Sequence, residues 1–191
     1  MEETVATGCV VKLDRGFPLV RLEDGRELRC KHATSLVKGE RVRAVIGDRV
    51  RVSFAERNDK ALIVEVLPRS RELVRKDPTE RAVPQVLAAN FDRVIVTQPS
   101  TEVNMRRLER ELVLAHETGA AVSVVLTKAD LAESEDEVAR VRERVLALVG
   151  ADVETLVVSE AMPESVEAVR ALVPEGTTAV LIGRSGVGKS S

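Results

Sequence analysis

Over residues 1–70 the apolar positions come in short runs, several alternating with polar ones, and turn residues separate them. VATGCVVKL, PLVRLED, RELRCKH, RVRAVIGDRVRVSF and KALIVEVLP each read as strand, because a period of two lays one apolar face against a core. Asp24-Gly25 joins two such runs, a dipeptide suited to a hairpin, and Gly47-Asp48 is a second candidate turn. Five short strands in this space predict a small barrel of the oligonucleotide-binding (OB) type, although an SH3-like barrel would give much the same pattern. The stretch RSRELVRKDPTERAVPQVLAAN follows. It is charged, holds two prolines and lacks a clear period until QVLAAN, so residues 71–89 are expected to be a linker ordered only at its end.

From Asn90 the period changes. FDRVIVTQ, AAVSVVLT, ETLVVS and TTAVLIG are buried-type strand runs, and helical patterns separate them. Met105, Leu108, Leu112 and Ala115 share one helical face, which Gly119 can close. Ser134 and Glu137 form a possible capping box for a second helix, whose face is Val138, Val141, Val145 and Leu148 and whose end is Gly150. Pro163 to Val173 makes a third, stopped at Pro174. Alternation of this kind predicts an α/β fold, a parallel doubly wound sheet with ligands at the carboxyl ends of its strands. The expected organisation is a barrel over 1–70, a linker over 71–89 and an α/β unit over 90–191.

Composition narrows the class. Hydrophobic residues make up 44% and charged residues 31% of the 191, which suits a globular rather than a disordered chain. No run of 18 apolar residues and no apolar leader occurs, so no membrane span or secretion signal is expected and the cytoplasm is the default location. Cys9 and Cys30 give no disulfide framework, and His32 and His116 have no Cys or His at metal-ligand spacing. Net charge is −2, but residues 1–70 carry +3 and residues 71–191 carry −5, an asymmetry that hints at a polyanionic partner for the first part.

The chain ends in GRSGVGKSS. Gly183, Gly188, Lys189 and Ser190 match G-x-x-x-x-G-K-[ST] without a gap, directly after the strand TTAVLI. In such a loop (Gly183, Arg184, Ser185, Gly186, Val187, Gly188, Lys189, Ser190, Ser191) glycines let the backbone approach phosphates, and successive N–H groups form an anion nest. Lys189 would reach the β- and γ-phosphates, and the Ser190 hydroxyl would hold Mg²⁺. Thr127-Lys128-Ala129-Asp130 closes the strand AVSVVL. Guanine offers two adjacent donors that one Asp130 carboxylate can accept together, which adenine cannot offer; Lys128 could lie along the ring. Ser159-Glu160-Ala161 ends the next strand, where guanine sites place a backbone N–H for the base oxygen. The Asp130 motif precedes the phosphate loop by 53 residues, the reverse of the usual order in small GTPases, so the domain reads as circularly permuted.

VIGDRVRV, QVLAANFDRVIV, LTKADL, VVSE and GRSGVGKSS, in that order, resemble the RsgA/YjeQ family of ribosome small subunit-dependent GTPases over the whole chain. The resemblance implies an N-terminal OB-fold, a permuted P-loop GTPase domain that binds GTP/GDP with Mg²⁺, and a C-terminal zinc-binding domain. It also implies hydrolysis stimulated by the small (30S) ribosomal subunit, contact with 16S rRNA, and a part in late maturation of that subunit. Thr127 departs from the family of GTPase motifs, which place Asn there; Thr keeps only a hydroxyl to tie base site to phosphate loop. The switch regions, the Asp-x-x-Gly motif and the zinc ligands of the family are not in this sequence, so it is expected to be a piece of a longer, monomeric protein. By itself it is expected to bind GTP weakly, not to turn it over, and to self-associate through an exposed TTAVLIG edge. No general base is identifiable. Three Phe and no Tyr or Trp supply little base stacking, leaving Arg21, Arg26, Arg29, Lys31, Arg41, Arg43, Arg49 and Arg51 for RNA phosphates. The competing readings are a non-catalytic rRNA-binding scaffold and a P-loop ATPase or kinase.

Overall fold

A computed structural model describes residues 4–14, 17–40, 42–54, 61–75 and 85–189. Arg41, Ser190 and Ser191, each assigned a role above, lie outside the described residues. The chain divides into two compact units, residues 1–90 and 91–191.

The first unit is built on a closed five-stranded barrel. Its strands are β1 (Thr4–Asp14), β2 (Phe17–Leu22), β3 (Glu27–His32), β4 (Arg49–Phe54) and β5 (Ala61–Val66), in the order β1-β2-β3-β5-β4. β4 returns antiparallel to β1, and β3 lies parallel to β5, the connectivity of the expected OB-type barrel. Alternation does the sorting: Val20 and Leu22, Val50 and Val52, and Ala61 and Ile63 point inward with Val10, Cys30 and Leu36. Gly25, at φ +86°, turns β2 into β3 and donates its N–H to Leu22 O at 3.0 Å.

Two expectations fail here. Residues 42–48 do not form a strand, and Gly47-Asp48 does not turn a strand pair. Instead Gly47, at φ +88°, donates to Val10 O at 2.8 Å, and Asp48 O accepts from Val10 N at 2.9 Å. The second correction concerns residues 71–89. The described residues of this stretch carry β6 (Glu72–Arg75) and β7 (Gln85–Ala89), paired antiparallel, and so are not a plain linker; residues 76–84 of it lie outside the described residues. The ribbon is fastened to the barrel by backbone: Ala89 N donates to Ile46 O at 3.0 Å, and a Cβ on Gly47 would sit 1.9 Å from Ala89 O. Asn90, at φ +55°, donates from Nδ2 to Gly47 O at 2.9 Å and accepts from Ser70 N at 2.8 Å. Asp48 is fully buried and receives Val45 N at 2.8 Å and the Arg69 Nε at 2.7 Å. That hydrogen bond raises the Arg69 pKa above its ordinary value, and it leaves the buried carboxylate paired, as burial of a charge requires.

The second unit is a four-stranded parallel sheet: β8 (Arg93–Pro99), β9 (Ala121–Thr127), β10 (Glu154–Val157) and β11 (Ala179–Ile182), in the order β10-β9-β8-β11. α1 (Met105–Glu117) packs on β8 and β9 through Leu108, Leu112 and Ala115, opened by Asn104, whose side chain accepts Arg107 N at 3.0 Å. α2 (Glu135–Val149) opens on Ser134, and Glu137 reaches back to Glu133 N rather than to the Ser134 amide. α3 (Pro163–Ala171) packs against β10. β11 is an edge strand, with Leu181 42% exposed. Because the strands are parallel and in register, with Pro99 opposite Thr127, Ile182 opposite Val96 and Val157 opposite Leu126, all four carboxyl ends open on one side.

Candidate functional site

The loops at those carboxyl ends enclose a cleft of about 510 Å³. Thr127, Lys128, Asp130 and Glu160 line it together with Gly188 and Lys189. Two motifs 53 residues apart in sequence thus share one cavity. Ile95, Val125, Val158, Val166, Val169 and Leu181 supply an apolar wall.

The loop Gly183–Lys189 is shaped by backbone in the left-handed range that glycine adopts most readily. Gly183, Gly186 and Gly188 have φ of +148°, +81° and +88°. A Cβ on Gly183 would lie 2.4 Å from Thr97 Oγ1, so the loop leaves β11 pressed against β8. Lys189 folds back over the loop and donates from Nζ to Gly183 O at 3.0 Å and to Arg184 O at 2.6 Å. An ammonium has three donors, so one remains for a ligand. Val187 is buried, whereas Arg184, Ser185 and Gly186 are exposed at the loop tip and do not line the cleft.

The turn Thr127–Asp130 is tied to this loop by the residue that departs from the usual motif. Thr127 Oγ1 donates to Val187 O at 2.6 Å and lies 3.3 Å from Gln98 O. Lys128 adopts a left-handed conformation (φ +60°), which starts the short helical turn Ala129–Leu131. Asp130 Oδ1 accepts from the Ser159 hydroxyl at 2.9 Å. Ser159 is buried and in turn accepts Ala161 N at 3.1 Å. A carboxylate has about four acceptor positions, so the Ser159 bond orients Asp130 and leaves capacity for two more donors. The Ala161 amide is engaged within its own loop in this structure, and Ser159, Ala129 and Ala161 support the cleft rather than line it.

Three contributors escaped the sequence reading. Thr97 lines the cleft and donates to Ile182 O at 2.8 Å. Ser100 is fully buried and donates from Oγ to Thr127 O at 2.6 Å. Ser165 Oγ donates to Met162 O at 2.6 Å and accepts Ser159 N at 3.1 Å. Hydroxyls at strand and helix ends carry no distinguishing pattern; only proximity to a motif strand could have flagged them.

The barrel's basic residues are less available than their number suggests. Arg21 pairs with Glu27 at 2.8 Å, Arg26 with Asp24 at 2.7 Å, Arg29 with Asp14 at 3.3 Å, Arg49 with Glu23 at 3.7 Å and Arg51 with Glu65 at 3.1 Å. All are exposed pairs, weakened by solvent and salt screening, so a stronger anion could displace the carboxylate. Arg29 and Lys31 also lie over the Phe17 ring, 5.1 and 5.7 Å from its centroid.

Comparison with known proteins gives the family and the fold. The model of the RsgA GTPase family matches residues 66–191. The Small ribosomal subunit biogenesis GTPase RsgA of Streptomyces coelicolor is 38% identical over 198 residues, covering 99% of this chain and 50% of that protein. Its namesake from Methanosarcina acetivorans is 34% identical over 148 residues, covering 77% and 39%. Among solved structures, YjeQ from Thermotoga maritima superposes with a TM-score of 0.73 at 24% identity, covering 98% of this chain and 63% of that one. YloQ, described as a circularly permuted GTPase, gives 0.70 at 19% identity, covering 97% and 62%. The chain spans between 39% and 50% of the length of these two curated relatives.

Proposed function

The chain belongs to the RsgA GTPase family, and from that premise we propose that its cleft binds GTP and GDP as part of a Mg²⁺-dependent GTPase of small ribosomal subunit biogenesis. The observation that carries this reading is the shared cleft of Asp130 and Lys189, braced by the Thr127–Val187 hydrogen bond. Asp130 accepts the two adjacent guanine donors while Ser159 holds its carboxylate. Lys128 flanks the ring, and the segment Ser159 to Ala161 closes the base end. Gly183 to Lys189 wrap the phosphates, with the third Lys189 donor directed to them. Ser190 is the proposed Mg²⁺ ligand, and the ion supplies charge neutralisation on the phosphates when bound. The residues described here contribute by orienting the nucleotide and offsetting its charge, not by general-base chemistry.

Turnover is proposed for a chain of the relatives' full length, monomeric, cytoplasmic and stimulated by the 30S subunit; residues 1–191 by themselves are expected to bind weakly without turnover. The barrel is proposed to meet 16S rRNA, its surface arginines exchanging carboxylate partners for phosphates. Binding of this chain to RNA should therefore weaken steeply with salt.

Base selectivity tests the nucleotide reading. Competition among GDP, ADP and xanthosine diphosphate, followed by nuclear magnetic resonance (NMR) so that weak binding is measurable, should show GDP preferred by the native chain. Asp130→Asn exchanges an acceptor for a donor and should move the preference to xanthosine diphosphate, whose ring carries a carbonyl where guanine has its amino group. Equal affinity of the native chain for GDP and ADP would favour the ATPase or kinase reading instead.

A further inference from the structure

The strand β8 carries no nucleotide-binding motif, yet it lies between the two strands that do. In the order β10-β9-β8-β11 it separates the base-reading turn, at the end of β9, from the phosphate loop, at the end of β11. With strands roughly 4.8 Å apart, its terminus fixes the span that a bound nucleotide must match. Two buried hydroxyls on that terminus reach in opposite directions. Thr97, 2% exposed, donates to Ile182 O at 2.8 Å, the last carbonyl before the phosphate loop. Ser100, 0% exposed, donates from both N and Oγ to Thr127 O, at 2.8 and 2.6 Å. Between them, Gln98 donates from Nε2 to Glu111 Oε2 at 2.5 Å, which anchors the same terminus to α1.

We propose that Thr97 and Ser100 are positioning residues for the nucleotide site, Thr97 setting the phosphate loop and Ser100 setting the base-reading turn. The inference rests on the guanine-nucleotide reading above. Each residue acts through a backbone carbonyl on a neighbouring strand, so each should govern one end of the ligand. Losing Thr97 slackens the phosphate grip and leaves base choice intact. Losing Ser100 does the reverse.

The test compares Thr97→Val, Thr97→Ser and Ser100→Ala with the native 191-residue chain, using NMR titrations with GDP, ADP and guanosine and amide hydrogen exchange without ligand. Thr97→Val should weaken GDP about five- to tenfold, the worth of one buried hydrogen bond, while guanosine binding changes less than twofold; Thr97→Ser should restore GDP. Ser100→Ala should reduce the GDP-over-ADP preference by a similar factor. Without ligand, exchange should quicken over residues 183–189 in Thr97→Val and over 127–131 in Ser100→Ala. Equal weakening of GDP and guanosine, or faster exchange spread evenly through the unit, would show a merely structural role and overturn the inference. A native chain with no preference for GDP over ADP would instead overturn the reading beneath it, and the exchange pattern would still decide whether the two clamps act separately.

Discussion

Gly25 and Gly47 have nearly the same backbone conformation, φ +86° and +88°, but different surroundings, and replacing each with alanine separates conformational strain from steric exclusion. A Cβ at Gly25 meets no heavy atom within 4 Å. Gly25→Ala should therefore cost only the left-handed penalty, about 1 kcal/mol. A Cβ at Gly47 would lie 1.9 Å from Ala89 O; the backbone fixes its position and the contact is a backbone carbonyl, so no rotamer change relieves it. β7 would have to move away, giving up the bonds from Ala89 N to Ile46 O and from Asn90 Nδ2 to Gly47 O. At about 1 kcal/mol net for each, Gly47→Ala should cost roughly 3–4 kcal/mol in all. The two variants should therefore differ by about 2–3 kcal/mol in unfolding free energy, with the lower urea midpoint in Gly47→Ala. The chain has no Trp or Tyr, so the assay is urea unfolding followed through amide cross-peaks of residues 4–90. Equal destabilisation by the two substitutions would refute the account of how the ribbon is held.

Other outcomes follow from the same structure. His32 Nε2 accepts Ala44 N at 2.9 Å, and burial, with Arg43 nearby, lowers its pKa from 6.5. The unfolded chain therefore takes up a proton first as pH falls. Stability of the barrel unit should be lost progressively below about pH 6.5, and the urea midpoint should show less of this slope in His32→Gln. Burial pushes the Cys30 thiol up to about 11, so a thiol reagent at pH 8 should label it only once the barrel unfolds. The edge strand β11 exposes Leu181, and Leu181→Lys should reduce self-association seen by light scattering at high concentration; unchanged light scattering would show that this edge does not mediate association.

How much was legible depended on whether a feature lay in local pattern. The barrel strands, the parallel sheet and the phosphate loop could be read because apolar periodicity and turn residues adjoin them. The ribbon of β6 and β7 could not. RELVR and QVLAA are short and weakly periodic, and their order comes from long-range backbone contacts with Ile46 and Gly47. Gly47-Asp48 read as a turn because the same dipeptide serves a turn or a close backbone approach. Charge totals revealed the arginines of the barrel but not that Glu27, Asp14 and Glu65 face them across strands. The role of Thr127 was legible as a departure from the usual motif; its partner, Val187 O, appeared only in three dimensions.

The central claim is that Asp130 and Lys189 hold opposite ends of one guanosine nucleotide. The most direct measurement is an NMR titration of the chain with GDP, following the amides of residues 127–131 and 183–189 together. Both sets should shift along a single isotherm, and Asp130→Asn should weaken both in parallel. Shifts confined to one set, or two sets that saturate at different concentrations, would contradict the shared site.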